Sequence, residues 1–212
     1  MNNKIAFVSC AFGDKRYLEQ QTRLIESIDK FHPESIGYHW TDELPPGSPK
    51  FYDSLYGFKV HAVIHAFNEG HERVLFLDPA CILLDRVDFL FELCRRNGVV
   101  AIKDDNKLPA SNTALEHFKY RRQDIADFHL VGGSLYAFDY YYSKHVFKSW
   151  YEAERFGAFG SQVEAASEKL QGHRYDETCM ALSLYRHGFE PVGPDVGRYM
   201  GDNCAVTKKH FK

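Results

Sequence analysis

Arg73-Val74-Leu75-Phe76-Leu77-Asp78 is a nearly continuous apolar run that ends in a carboxylate, and no other segment narrows the fold so far. A strand that is apolar on both sides must be covered on both faces, the condition of a central strand in a helix-flanked sheet. Asp78 thereby falls at a strand's carboxyl end, where ligands collect in sheets of this kind. The rest of the chain supplies the flanking helices. Lys4 to Cys10 is β-branched and apolar, Ala11-Phe12-Gly13-Asp14 breaks it, and a helical pattern from about Tyr17 to Phe31 places Leu24, Ile25, Ile28 and Phe31 on one side.

Pro33 ends that helix, Ile36 to Thr41 reads as a second strand, and Leu44-Pro45-Pro46-Gly47-Ser48-Pro49 as a loop. Leu55, Phe58, Ala62 and Ala66 mark a buried stripe on a helix from about Asp53 to Asn68, stopped by Gly70, with Lys59 beside the stripe. After the central run come a helix over Val87 to Arg96 and a strand over Gly98 to Ile102. Pro109 to Asp127 is polar and irregular and reads as a substrate-facing excursion. His129 to Phe138 is a strand broken by Gly132 and Gly133, which marks a bulge or a close backbone approach. Helices follow over Tyr142 to Arg155 and Asp176 to His187, then a short strand over Phe189 to Val192 and a basic tail without a terminal structural element. The alternation predicts an α/β fold with a largely parallel sheet in one domain over residues 1–212, whether whole or cut from a longer protein.

Composition closes several function classes. A chain of 212 residues with 44% hydrophobic content can bury a real core. A net charge of -3 leaves no basic excess for gripping a nucleic-acid backbone. No apolar stretch approaches the roughly 20 residues of a membrane span, and Met1 to Val8 lacks the pattern of a secretory signal. The expected location is the cytoplasm. The 5 cysteines are scattered without a C-x-x-C pair and read as free thiols, with a Cys nucleophile as a lesser alternative. The 15% aromatic share suits walls that stack on flat rings or sugar faces, beside ordinary core packing.

A carboxylate such as Asp78 directly after a buried strand is costly to desolvate unless it meets a cation, a hydroxyl or an amide; it can also simply open an Asp-Pro turn. Asp176 with Glu177 suits a helix start on capping and dipole grounds alone. Lys59 is either solvated or phosphate-pairing, and Lys208, Lys209 and His210 either a floppy tail or a lid. Ser9 and Ala11, Phe12 and Gly13 form a loop that can cradle a nucleotide base or ribose.

Tyr56-Gly57-Phe58-Lys59, then Gly70, then Val74 to Ala80 resembles the region around the Asp-x-Asp motif of glycosyltransferases with the GT-A fold. Gly132 to Phe138 resembles the strand with small residues beneath the sugar in retaining, family-eight-like enzymes. Asp176 to Leu182 is similar to the acidic helix start facing the donor sugar, and Gly201 to His210 to a terminal segment that brings a His to metal and a Lys to phosphate. The resemblance covers roughly Lys4 to His210, and the order of the motifs carries it.

The resemblance implies a single GT-A-like, Rossmann-like domain with a mixed, mostly parallel central sheet flanked by helices. It implies transfer of a hexose or deoxyhexose, of glucose or rhamnose type, from a UDP-sugar donor to a glycan acceptor hydroxyl, on a glycoprotein or otherwise, with retention. Asp176, Glu177 and Asp78 are then the candidate catalytic residues; Ser9, Ala11, Phe12, Gly13, Lys59, Asp78, Gly133, Lys208 and Lys209 the donor-binding set; Asp78 and His210 the ligands of Mn²⁺ or Mg²⁺. The second acidic position of the motif is Ala80, which removes one ligand. The alternatives are a non-catalytic carbohydrate- or nucleotide-sugar-binding module and a nucleotidyltransferase, whose glycine- and Arg/Lys-rich triphosphate cradle the first loop lacks. A dehydrogenase is disfavoured because no G-x-G-x-x-G follows the first strand.

Overall fold

A computed structural model describes residues 5–166, 172–193 and 205–208. The central sheet has five strands in the order β2-β1-β3-β6-β5. They are β1 (Ile5–Ala11), β2 (Ile36–Thr41), β3 (Arg73–Leu77), β5 (Val99–Lys107) and β6 (His129–Asp139). β1 runs parallel to both β2 and β3, while β6 lies antiparallel between β3 and β5, so β6 alone opposes the other four. The expected mixed, mostly parallel sheet is present, with its exception in the strand that carries the two glycines. The Ala101–Ile102 step of β5 shifts register against β6, passing from Tyr136 to Gly132, and this is the irregularity those glycines predict.

Alternation along the strands builds two cores. Val8, Val74, Phe76, Tyr136 and Phe138 face the side covered by α2 (Phe58–Asn68), α5 (Tyr140–Phe156) and α7 (Tyr175–Arg186). Phe7, Leu75, Leu77 and Leu135 face the side of α1 (Lys15–Phe31) and α3 (Phe89–Asn97). Val74, Leu75, Phe76 and Leu77 are 0–1% exposed, as a strand covered on both faces requires. α1 starts where Asp14 accepts the Arg16 N–H, and α5 where Asp139 accepts that of Tyr141.

Four segments differ from the sequence reading. α2 begins at Phe58 instead of Asp53, because residues 50–57 are taken up in turns and the Leu55 N–H bonds the Gly160 carbonyl at 3.0 Å. Residues 109–127 are not irregular. Ser111 caps α4 (Asn112–Phe118), which buries Ala114, Leu115 and Phe118, and a 3-10 turn spans Arg122–Ile125. Phe189 to Val192 contributes only a single parallel bridge from Val192 to Ile102. The tail does hold a structural element. β7 (Val206–Lys208) pairs antiparallel with β4 (Cys81–Leu83), directly after the Asp78 turn. A five-residue helix, α6 (Gln162–Ala166), completes the described elements.

Candidate functional site

The site gathers at the carboxyl end of β3, where β6 and the first turn of α7 meet α2. β3 ends at Leu77, and the next N–H, that of Asp78, donates to the Ser134 carbonyl on β6 at 2.9 Å. The Asp78 carbonyl accepts the Cys81 N–H at 2.9 Å, so the Asp-Pro turn exists as the structural reading requires. The Asp78 side chain nevertheless keeps 26% of its surface in solvent, with Oδ1 at 4.0 Å from Lys59 Nζ.

Lys59 is the centre of the arrangement. It is 3% exposed, not solvated. Its Nζ donates to Asp176 Oδ2 at 2.9 Å and to the Gly133 carbonyl at 2.9 Å. The rings of Tyr56, Phe76 and Tyr136 lie 4.9, 5.4 and 5.8 Å from it. Burial alone would lower the pKa of this ammonium, but the carboxylates of Asp176 and Asp78 outweigh it and hold it above its ordinary value. Sequence periodicity placed Lys59 beside the buried stripe; the bulk of α2 is buried on nearly all sides, so a position beside the stripe is interior as well.

Asp176 does not cap α7. The helix starts one residue earlier, Arg174 is the cap, and Asp176 lies in the first turn, 2% exposed. Its Oδ2 also accepts the Tyr136 hydroxyl at 3.0 Å, and its backbone carbonyl accepts Trp150 Nε1–H at 3.1 Å. Burial pushes the Tyr136 phenol well above its usual value, with the charges of Asp176 and Glu177 adding to it. The phenol therefore stays a donor to the carboxylate. Glu177 turns the other way. Its Oε1 accepts the Gly133 N–H at 3.0 Å and its Oε2 meets Arg174 at 3.1 Å. Burial, then the neighbouring Asp176 charge, raises the Glu177 carboxyl from 4.5 to about 7, against the pull of Lys59 and Arg174.

Gly133 is a close-approach glycine. A Cβ there would lie 2.9 Å from Glu177 Cγ, Glu177 Oε1 and Lys59 Nζ. One backbone position thus bonds Lys59 through its carbonyl and Glu177 through its amide, with no room for a side chain.

Ser9 and Ala11 are not in a loop but are the paired last residues of β1, which runs on to Ala11 beside β2, and only Phe12 and Gly13 lie in the loop. This strand end borders the cluster electrostatically: the buried Cys10 thiol is raised by burial and feels the charges of Lys59 and Asp78. Ser9 is 1% exposed and its Oγ has no hydrogen-bond partner among the described residues. Ala11 is buried and its carbonyl accepts the Asp42 N–H at 2.9 Å, Phe12 packs on Phe58 at 4.9 Å, and the Gly13 N–H donates to Asp42 Oδ1 at 3.2 Å. Asp42, at the end of β2, thus ties down the loop, a role sequence reading did not assign it. Lys208 pairs through its backbone with Cys81, three positions beyond Asp78. Lys209 and His210 lie outside the described residues.

Sequence reasoning missed the tyrosines: Tyr136 as a donor to Asp176, and Tyr56 and Tyr175 at its edge. The available signal was that Tyr56 and Tyr175 directly flank Gly57 and Asp176.

The donor set was tested against a divalent cation. Among the described residues no group of three or more His, Cys, Asp or Glu side chains could hold one. Ala80 occupies the second motif position after Asp78, and an ammonium is the near neighbour of the Asp78 carboxylate. The described residues do not by themselves fit a metal centre. The four described cysteines are buried and form no disulfide, and burial raises the thiols of Cys10, Cys94 and Cys179, so none of these three is a poised nucleophile. A groove of about 480 Å³ lined by Ile64, Phe67, Tyr140, Lys144 and Lys148 lies on α2 and α5 and includes none of the site residues. Among the described residues no helix is long and apolar enough to cross a membrane.

No family model matches the sequence. No curated protein matches it either. Among solved structures, the chain is similar to a glycosyltransferase involved in the glycosylation of the major capsid of PBCV-1, with a TM-score of 0.55 and 9% identity over 97% of this chain and 92% of that one. A likeness at that identity is one of fold, and it runs essentially end to end: the chain has a GT-A-like, glycosyltransferase fold.

Proposed function

We propose that this chain is a nucleotide-sugar-dependent glycosyltransferase, moving a hexose or deoxyhexose from a UDP-sugar to a glycan acceptor hydroxyl. The observation that carries the reading is the buried Lys59 ammonium, held between Asp176, Asp78 and the Gly133 carbonyl at the carboxyl end of β3. A fold-preserving interior has no need to bury a carboxylate and an ammonium, as Asp176 and Lys59 are, since apolar residues of like volume serve as well or better. The glycosyltransferase fold supports the same reading.

The transition state of glycosyl transfer carries positive charge on the sugar ring. Asp176 and Glu177, fixed on the first turn of α7, supply oriented negative charge that needs little reorganisation as that charge develops. Burial raises the Asp176 carboxyl, the Lys59 ammonium and the Tyr136 hydroxyl pull against that rise, and the hydroxyl fixes the carboxyl's orientation. Asp78, Asp176 and Glu177 against Lys59 and Arg174 leave the cluster net negative. A departing diphosphate therefore needs cations from elsewhere, and Lys208 and Lys209 are the proposed source. Ser9, Ala11, Phe12 and Gly13 are the proposed base and ribose cradle, the Ser9 hydroxyl having no hydrogen-bond partner among the described residues. Retention follows from front-face attack, in which the leaving phosphate takes the acceptor's proton. Asp78 and His210 are the proposed holders of Mn²⁺ or Mg²⁺; since the described donor set does not fit such an ion, no step is routed through it.

The test is UDP release from UDP-hexoses and UDP-deoxyhexoses, with Mn²⁺ or with EDTA, for the wild type and Asp78→Ala. The expected result is release by the wild type and a fall on the order of 10²-fold or more in the variant, the scale of removing one oriented electrostatic group. A donor that raises the melting temperature without turnover supports the second reading, a nucleotide-sugar-binding module, which the lone Asp78 carboxylate beside Ala80 favours. Neither release nor a melting shift with any donor overturns both.

A further inference from the structure

Tyr56 and Tyr175 hold backbone conformations that aromatic residues rarely adopt: φ is +61° at Tyr56 and +48° at Tyr175. The other two described non-glycine residues with positive φ have ordinary reasons. Lys119 closes α4 in the left-handed cap conformation, and Asp42 has the short polar side chain that tolerates it. Neither tyrosine shares those reasons, yet both are locked in place. Beside Tyr56, the Leu55 N–H bonds the Gly160 carbonyl at 3.0 Å, and a Cβ on Gly57 would lie 2.6 Å from Ser54 Oγ. Beside Tyr175, the Arg174 N–H donates to Thr178 Oγ1 at 2.9 Å, and that hydroxyl donates to the Pro109 carbonyl at 2.9 Å. Strain of this kind persists where the surroundings over-determine it, and it concentrates at ligand clamps.

The two locked turns bring the rings together. Their centroids are 5.6 Å apart at 32°, and the Tyr56 ring stands 4.9 Å from Lys59 Nζ. Phe51 adjoins Tyr56 at 5.5 Å and Tyr52 adjoins Phe51 at 6.3 Å. Tyr52 is 66% exposed and Tyr56 36%, so an aromatic wall leads from solvent to the buried lysine. Tyr175 precedes Asp176 directly.

We propose that Tyr56 and Tyr175 form a stacking platform for a pyranose ring of the acceptor glycan, at the mouth of the Lys59–Asp176 cluster. This rests on the glycosyltransferase reading and adds the acceptor subsite to it. Sugar rings present C–H faces that suit the negative face of an aromatic ring, and phenol hydroxyls at the edge bond sugar hydroxyls. The platform abuts the carboxylates of α7, where the acceptor must arrive, whereas the loop after β1 has its own ring, Phe12, turned into Phe51 and Phe58.

The experiment varies a methyl glycoside acceptor and the UDP-sugar donor separately, following UDP release and transfer. In Tyr56→Ala and Tyr175→Ala the acceptor KM is expected to rise roughly tenfold, the scale of one lost stacking contact, while donor KM moves less than about threefold. Tyr56→Phe and Tyr175→Phe recover most of the acceptor affinity, and Tyr140→Ala, on the groove away from the site, leaves both KM values as in the wild type. Tyr56→Gly and Tyr175→Gly relieve the positive φ, so they melt at or above the corresponding Ala variants and still lose the acceptor. An unchanged acceptor KM in both Ala variants overturns the platform, and so does a rise in donor KM instead, which marks base stacking. A fall in kcat with both KM values unmoved shows a merely structural role and overturns it too. No UDP release by the wild type overturns the transferase reading and the platform with it, whereas release with an unmoved acceptor KM overturns the platform alone.

Discussion

Lys59 Nζ and Asp176 Oδ2 lie 2.9 Å apart with both side chains almost wholly withdrawn from water. The pair joins α2 to α7 across the middle of β6, because the same ammonium also bonds the Gly133 carbonyl. An ion pair so placed is expensive to break from one side.

Lys59→Met therefore leaves the buried Asp176 carboxyl with the Tyr136 hydroxyl as its one side-chain partner among the described residues. The expected loss is about 3–5 kcal/mol in urea unfolding. Adding Asp176→Asn removes the stranded charge and is expected to recover at least about 1 kcal/mol, since contacting residues couple by that order. A double variant no more stable than Lys59→Met contradicts the pairing.

Glu177 makes stability depend on pH. Its folded carboxyl titrates at about 7 against 4.5 when unperturbed, raised by burial and then by Asp176. Between those values the folded state holds a proton the unfolded state has lost, so stability falls as pH rises from about 4.5 to about 7 and levels off above. The slope approaches 1.4 kcal/mol per pH unit, for a total of about 3 kcal/mol at most. Glu177→Gln removes this component, which stability curves between pH 4 and 8 will show as a flatter profile.

Gly133 and Gly132 are adjacent and predicted to behave differently. A Cβ at Gly133 meets Glu177 and Lys59 at 2.9 Å, whereas at Gly132 the nearest atom is the Ile102 carbonyl at 4.0 Å. Gly133→Ala is expected to cost about 1–3 kcal/mol by overpacking and to cut UDP release; Gly132→Ala is expected to leave both close to the wild type. Thermal melts and release assays on the two variants check this.

Alkylation gives a further check. Cys10, Cys81, Cys94 and Cys179 are buried and form no disulfide, and burial pushes the Cys94 thiol up to about 12. Iodoacetamide followed by peptide mass mapping is expected to spare all four in the folded protein and label them in urea. Labelling of Cys10 in the native state contradicts the closed end of β1.

The parts of the fold readable from sequence were those whose own residues decide them. Val74 to Leu77 has to be an interior strand, and the pair Gly132–Gly133 has to disturb one. What depended on distant partners was hidden. The three-residue strands β4 and β7 exist only through each other, and the reversed direction of β6 is set by its neighbours, not by its composition. At the site, the carboxyl-end position of Asp78 and the acidic start of α7 were legible. The burial of Lys59 was not, because a stripe argument assumes a helix with one wet face, and α2 has almost none. The irregular backbone at Tyr56 and Tyr175 had no glycine or asparagine to announce it.

The placement of β6 constrains how the molecule is born. Until residues 129–139 leave the ribosome, β3 and β5 have no strand between them. A nascent chain holding everything through β5 still shows bare amide edges and uncovered apolar faces to its surroundings or to a chaperone, the condition under which strand edges recruit foreign partners. Arrest or proteolysis of translation products short of that strand should yield species prone to clump, while chains released beyond it close the gap at a stroke.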